Sequence, residues 1–518
     1  MTRVARASVA TAFGYLRFGL ALVAGLLVVP FVIGELGARV YGFWLASGEV
    51  LGYAAMADLG LLATMPWLVA EADGRRDRDA IRRLMSNGAA AALMLTLVYA
   101  VGVVLLWNVL PALLRLGPVE RGVVLGPFVL VAVAVAVTMP LRVFSVTLAG
   151  LQDVTFQGTA SACAWTADVA LTVILLKAGY GLYAVAAAAA FPGILMAVAS
   201  AVRLWLIAPD LLSGWPRPTR AGMSRLLQES IGGWFSQWGW RLTSATDGII
   251  LAALGNPVAV TALAMTSRLG NMLMQMSWMP GDSALVGLAS LHGEGQPARL
   301  RAAVVALLRV NIALAGAAVC VVLAANPAFV AWWIPGDVFA GDRVNGLLAV
   351  ALMLSSIAHA VIIVTGVLGR RLLVGAATLV TGVAQAVLAY LLARRFGIAG
   401  VVVASIAAQS LILLPMLARA FAAMSGVSFG DAVREVVVPL LARSGPLAVA
   451  AFIVGFWLPP PPGATAIPLG VTVGLAYLWL TRRVYLDYPA IQALLDRLPA
   501  WGMPPGLRRR LAPGSRAG

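Results

Sequence analysis

About fourteen apolar stretches, most of them 20 residues or longer, follow one another along this chain, separated by short polar connectors. They cover 11–33, 41–70, 84–110, 122–148, 157–177, 180–208, 228–254, 257–290, 303–334, 344–369, 371–393, 397–422, 437–458 and 465–482. Hydrocarbon cannot satisfy an open backbone, so each stretch is expected to be a helix. Composition excludes the soluble alternative. Of 518 residues, 61% are hydrophobic and 11% charged, under half the charged share of a water-soluble domain. The fold class is therefore an all-α polytopic membrane protein with about 14 transmembrane helices. A soluble enzyme, a nucleic-acid binder and a disordered scaffold are excluded.

The formal net charge is +16. Nearly all of it is arginine, set in short runs beside apolar stretches, as topology and anionic headgroups select rather than nucleic acid. Basic connectors alternate with poor ones. The N-terminus (Arg3, Arg6), the 71–83 loop, the 209–227 loop, the loop near Arg299 and Arg301, Arg370–Arg371, Arg434 and the tail after Arg482 are basic. The connectors near 34–40, 111–121, 255–257, 335–343 and 459–464 carry few positive charges, with Arg394–Arg395 the exception to the alternation. This places both termini in the cytoplasm. Cys163 and Cys320 lie inside apolar stretches and read as buried small hydrophobes, with neither a disulfide nor a metal expected. Pro489 to Leu498 puts Ile491, Leu494, Leu495 and Leu498 on one face, the pattern of an interfacial helix. Ser428 and Asp431 have capping-box spacing.

The chain also matches itself. At an offset of 224, Arg17 falls on Arg241, Asp58 on Asp282, Arg75 on Arg299 and Asn87 on Asn311; at 216, Gly150 falls on Gly366 and Gly181 on Gly397. Six spans map onto six, an even number, so the copies are parallel repeats. The expected organisation is a first six-helix lobe (1–208), a cytoplasmic linker (209–227) and a second lobe (228–422). An additional helix pair (437–482) and a basic cytoplasmic tail (483–518) with the interfacial helix follow. In a transporter so built, the binding cavity lies between the lobes.

Charges within spans cost about 2.5–3.5 kcal/mol each, and few are present. Arg17, about 9 Å deep at 1.5 Å per residue, and its counterpart Arg241 suit phosphate oxygens through their planar forks. A second reading makes Arg17–Asp58 and Arg241–Asp282 structural ion pairs. Arg268, Asn271, Gln275 and Asp282 share one helical face, a polar stripe on an apolar helix. Gln237, Arg241 and Ser244 do the same in the preceding span. Asp247 and Glu49 have no counterpart across the repeat, and Asp168 is a further acid within a span. His359 has no evident partner and reads as packing. The aromatic group Trp234, Phe235, Trp238 and Trp240 suits either stacking on sugars or helix packing.

The segment Leu36-Gly-Ala-Arg-Val-Tyr-Gly-Phe-Trp-Leu, running on to Ala57-Asp-Leu-Gly-Leu61, resembles the start of bacterial polysaccharide-biosynthesis membrane proteins. These are the O-antigen-type flippases of the multidrug/oligosaccharidyl-lipid/polysaccharide exporter superfamily. The resemblance implies a non-enzymatic flippase in the bacterial cytoplasmic membrane, moving a polyprenyl-diphosphate-linked saccharide by alternating access. No cofactor is implied beyond a coupling proton or sodium gradient. Partners would be membrane lipids, a polysaccharide polymerase and glycosyltransferases, and no nucleic acid. The cavity of such proteins is cationic, which makes Arg17, Arg241 and Arg268, with Asn271 and Gln275, the candidate substrate-binding set by position. Asp58, Asp282, Asp247 and Glu49 are then coupling groups or ion-pair partners. A drug/cation antiporter of the same superfamily stays open. A major-facilitator-type transporter also stays open, although Glu71 to Asp79 lacks the order G-x-x-x-D-R-x-G-R. A polytopic glycosyltransferase or ligase needs a large loop with carboxylates and histidines, and the chain has none.

Overall fold

The computed structural model describes the backbone of residues 3–56, 60–293, 295–334, 338–457 and 465–485. Within helices, some side chains lie outside the description, most of those in 3–26 among them. The described chain is helical, without a strand among the described residues. The helices are α1 (Arg3–Ala55), α2 (Leu61–Gly74), α3 (Arg78–Leu113), α4 (Pro118–Gly150) and α5 (Val154–Lys177). Then come α6 (Leu182–Ile207), α7 (Arg220–Ala253), α8 (Pro257–Gly293), α9 (Pro297–Trp333) and α10 (Asp342–Val367). The last are α11 (Arg371–Ala408), α12 (Leu414–Ser425), α13 (Phe429–Ala432), α14 (Val438–Trp457) and α15 (Ala466–Tyr485). The chain is a multi-pass membrane protein, and its apolar stretches fall largely on these helices, with 41–70 divided between the end of α1 and α2 rather than forming one helix.

By length and composition alone, 8 stretches of the described residues can cross a membrane. α8 is not among them: Arg268, Asn271 and Gln275 stand among its apolar side chains. Short polar residues start several helices. The Asp77 side chain accepts from the Ala80 N–H, Thr219 from Gly222, and Ser428 with Asp431 closes the expected capping box. A π-helical turn, Gln409–Leu413, joins α11 to α12.

Chain contacts divide the molecule into two compact units, Met1–Thr261 with Trp333–Pro335, and Ala262–Trp332 with Gly336–Gly518. In unit 1, Met65 and Val69 of α2 pack with Ile81 and Met85 of α3, Val143 and Leu148 of α4, and Leu204 of α6. Gly88 leaves the room that Met65 fills, and Gly150 the room for Val69. The self-match counts α7 as the first span of the second copy, whereas contacts group it with unit 1. Along its length α7 lies against α1, α2 and α3. Near its start, Asn87 accepts from the Thr219 N–H at 2.8 Å. Beyond its end, in the first turns of α8, Thr261 donates to the Ala38 carbonyl at 2.7 Å.

Unit 2 is built around α9, most of whose apolar centre is buried. Its small residues let neighbours come close on three sides. Ala315 and Ala318 meet α10, and Leu308 and Ile312 face the α12 side with Leu417 and Phe421. Ala317, Cys320 and Ala324 meet Ala451 of α14 and Tyr477 of α15. The Tyr477 hydroxyl occupies the place where a Cβ of residue 316 would stand, and Gly470 and Gly474, spaced as G-x-x-x-G, lie on Val321. This is how the additional helix pair is fixed.

The matched glycines carry one backbone conformation. Gly181 at the start of α6 has φ 54°, ψ −133°, and Gly397 inside α11 has φ 56°, ψ −131°. Side chains other than hydrogen rarely adopt it. One expectation is corrected: Cys163 is exposed on α5 rather than buried, while Cys320 is buried on α9. The interfacial helix expected at 489–498 lies outside the described residues.

Gly316→Leu is expected to drive α15 off α9 and to destabilise the protein by about 1–3 kcal/mol. Gly346→Leu, a site with open space within 4 Å, serves as control. Thermal unfolding in detergent reads the difference.

Candidate functional site

α8 acquires its orientation from the face opposite its polar stripe. Two buried asparagines of α9 reach its backbone there. Asn311 donates to the Ser277 carbonyl and Asn326 to that of Thr266, each at 2.8 Å. Asn326 also donates to Asn345 Oδ1 of α10 at 2.8 Å. The Ser277 and Ser356 hydroxyls bond at 2.9 Å in a buried contact between α8 and α10. Each lost bond would leave a buried polar group unmet, so the rotation of α8 is strongly specified.

That rotation leaves Arg268, Asn271, Gln275 and Asp282 on the other side. Asn271, Gln275 and Asp282 are exposed and Arg268 half-buried. Asn271 donates to Ser267 Oγ at 3.4 Å. Arg268 Nε is buried and bonds nothing, and among the described residues the guanidinium has no ion-pair partner. A half-buried cation left so is costly unless a counter-charge or water meets it.

Asp282 is paired with His359 of α10, Nε2 to Oδ1 at 3.1 Å. The imidazole stacks on Trp278, with ring centroids 4.3 Å apart and planes 12° from parallel. The expected structural partner of Asp282 was Arg241, and the expected role of His359 was packing. The sequence missed this pair because its members stand 77 residues apart and the repeat supplies no second copy of His359.

In unit 1 the polar groups of α1 and α7 close on each other. Arg241 Nη2 donates to the Glu49 carbonyl at 3.1 Å, and its Cζ lies 5.6 Å from the Tyr53 ring centre. The Tyr53 hydroxyl donates to the Arg241 carbonyl at 3.1 Å and bonds Thr246. Two glycines make the approach possible. A Cβ on Gly52 would overlap the Arg241 guanidinium, and one on Gly248 would overlap the Glu49 carboxylate. Asp247 lies near enough to Glu49 for the two carboxylates to repel. So Glu49 and Asp247, the two acids without a counterpart in the repeat, are brought together. Arg241 is seated on α1 rather than standing free. Its neighbours Gln237 and Ser244 are exposed.

Trp234 and Trp238 join this contact as packing residues. Trp234 Nε1 donates to the Met56 carbonyl at 2.9 Å, and the Trp238 ring lies 5.7 Å from Tyr53. Trp240 is exposed. Arg17 lies on α1 with its side chain outside the description, and Asp58 lies outside the described residues. Asp168 is half-buried on α5. Among the described residues no group of three or more His, Cys, Asp or Glu is placed to hold a metal.

No family model and no curated protein matches the chain. Solved structures do. The lipid II flippase MurJ in an inward closed conformation superposes with a TM-score of 0.64 at 11% identity, over 92% of this chain and 98% of the other. An inward-facing multidrug resistance MATE family transporter of the MOP superfamily gives 0.60 at 17% identity, over 83% and 100%. A MOP superfamily transporter from Pyrococcus furiosus gives 0.58 at 15%, over 81% and 95%. At these identities the likeness is one of fold: the chain has the fold of MOP superfamily transporters.

Gly52→Val is expected to unseat Arg241 and to cost about 1–3 kcal/mol, and Arg241→Gln should also destabilise. Both should lower the thermal midpoint of the purified protein. An Arg241→Gln protein as stable as the parent would show that the guanidinium does not hold α7 on α1.

Proposed function

We propose that this chain is a flippase for a polyprenyl-diphosphate-linked saccharide, acting by alternating access in a bacterial cytoplasmic membrane with both termini in the cytoplasm. The observation that carries the reading is Arg268, a guanidinium without an ion-pair partner among the described residues, on an exposed polar face of an intramembrane helix. A diphosphate supplies the missing counter-charge and accepts both branches of the fork. Asn271 and Gln275, on the same face within two turns, offer amides to the remaining phosphate oxygens or to the first sugar. Glycosyltransferases would make the lipid-linked substrate and a polymerase would consume it. The resemblance of Leu36–Leu61 to polysaccharide-biosynthesis flippases supports the saccharide. The greater share of the chain aligned with the lipid II flippase, 92% against 83% for the first MATE transporter, supports a lipid cargo.

The likeness to MATE transporters favours a second reading, export of an organic cation. The two differ in what Arg268 does. A cationic drug is repelled by it, whereas a diphosphate is held.

Arg268→Gln is expected to abolish binding of polyprenyl-diphosphate-linked N-acetylglucosamine and to leave surface polymer unmade at unchanged protein abundance. Arg268→Lys restores binding in part, because the charge returns without the fork. Leaflet-resolved measurement of the lipid-linked sugar reads both. Undiminished flipping by Arg268→Gln, with tighter binding of ethidium, would favour the cation exporter.

A further inference from the structure

We infer that Asp282, held in place by His359, is the sugar-reading end of the α8 stripe: its carboxylate accepts hydroxyls of a sugar beyond the one joined to the diphosphate. The inference rests on the saccharide reading and deepens it, because it makes the length of the headgroup something that α8 distinguishes.

The stripe is ordered by charge along the helix. Arg268 stands at one end, the amides of Asn271 and Gln275 follow, and Asp282 stands at the other end. Arg268 to Gln275 and Gln275 to Asp282 are equal steps, each about 10 Å at 1.5 Å per residue. An anion held at Arg268 is repelled at Asp282, and this fixes the direction in which a lipid-linked saccharide lies. Phosphate oxygens go to the guanidinium, and the sugars run toward the carboxylate. The amides, each able to donate and to accept, serve the groups between. The diphosphate and the first sugar fill the stretch to Gln275, so the donor that reaches Asp282 belongs to a sugar further along.

The carboxylate is oriented for such a contact. His359 Nε2, from α10, meets its Oδ1 at 3.1 Å. Trp278, one turn before Asp282, holds the imidazole flat against its indole. The Ser277–Ser356 bond, about one turn away on both helices, fixes the register in which the two side chains meet. The side chain of His359 is 17% exposed and that of Asp282 55%. A sheltered ring therefore sets the direction of an open carboxylate, whose Oδ2 has no hydrogen bond among the described residues. An open carboxylate is costly against hydrocarbon, so this surface meets water or a polar ligand.

Sugar hydroxyls are the donors that suit it. A hydrogen bond to an ionised acceptor is about twice as strong as one between neutral groups. A headgroup too short to reach Asp282 forgoes that bond, and a longer one makes it. His359 touches no sugar and is a positioning residue. The pair has no copy in the first half of the chain: at the offset of 216, Val143 stands in place of His359. A carboxylate so held on one side alone suits a ligand whose two ends differ.

Binding to the full-length protein in detergent tests the site with two lipids. One is polyprenyl-diphosphate-linked N-acetylglucosamine, and the other is the same lipid extended by two neutral hexoses. The parent is expected to hold the longer lipid about tenfold more tightly, the worth of one charge-assisted bond. Asp282→Asn is expected to lose that margin while binding the shorter lipid as the parent does, which also shows that the variant is folded. His359→Gln keeps an N–H for Oδ1 and should retain the margin, whereas His359→Leu should lose it. Arg268→Gln should release both lipids. An Asp282→Asn protein that keeps the margin, or that weakens both lipids alike, overturns the inference, as does a parent that holds the two lipids equally. A His359→Leu protein with the full margin overturns the positioning role. A parent that binds neither lipid refutes the saccharide reading itself, and the sugar-reading end falls with it.

Discussion

A charged or polar group carried into hydrocarbon must be met by protein, and in this chain most of the meeting is done by backbone carbonyls. Arg241 donates to the carbonyl of Glu49, Asn311 and Asn326 to carbonyls of α8, Trp234 to that of Met56, and Arg309 to that of Val484. Carbonyls already engaged in a helix retain a second lone pair, so a donor from a neighbouring helix binds without unwinding it. The price is proximity, because the donor helix must come close. That is why glycine and alanine stand at the contacts: Gly52 and Gly248 between α1 and α7, and Ala315, Gly316 and Ala317 on α9. Arg268 lies outside this scheme, on the side of α8 that its asparagine anchors do not face.

The helices were legible because lipid enforces them: length and apolarity suffice when no other backbone arrangement is tolerated. The polar stripe of α8 was legible for a related reason, since four polar residues on one face of an apolar helix can have only one common orientation. The partners were not legible. Asp282 pairs with His359, which needs the α8–α10 register, and that register is set by a serine pair with no mark in the sequence. Gly52 and Gly248 are two of 53 glycines, and nothing in a glycine tells which side chain will lie on it. The self-match also had a bounded reach. It related Arg17 to Arg241 and Asp58 to Asp282, yet the contacts of Arg241 run to Glu49 and Tyr53, residues outside the matched set.

The two polar assemblies differ in kind. On α1 and α7, a cation and two acids are shut in by aromatic rings and glycine notches, and the arrangement is suited to holding helices together. On α8, Asn271, Gln275 and Asp282 stand open and Arg268 is half-buried, and the arrangement is suited to receiving something. Solved transporters of the same fold handle drugs and lipid II, so the fold itself does not choose the cargo. The choice falls to side chains such as Arg268, on a scaffold that the asparagines keep fixed.

Gly181 and Gly397 have a consequence beyond the helices that they bend. Their shared backbone conformation is closed to nearly every other residue, so neither position tolerates a side chain, whatever stands around it. They form a pair of surveyor's marks. Halves of distant relatives, too diverged for ordinary alignment, can be brought into register by finding where a helix starts from that one glycine geometry.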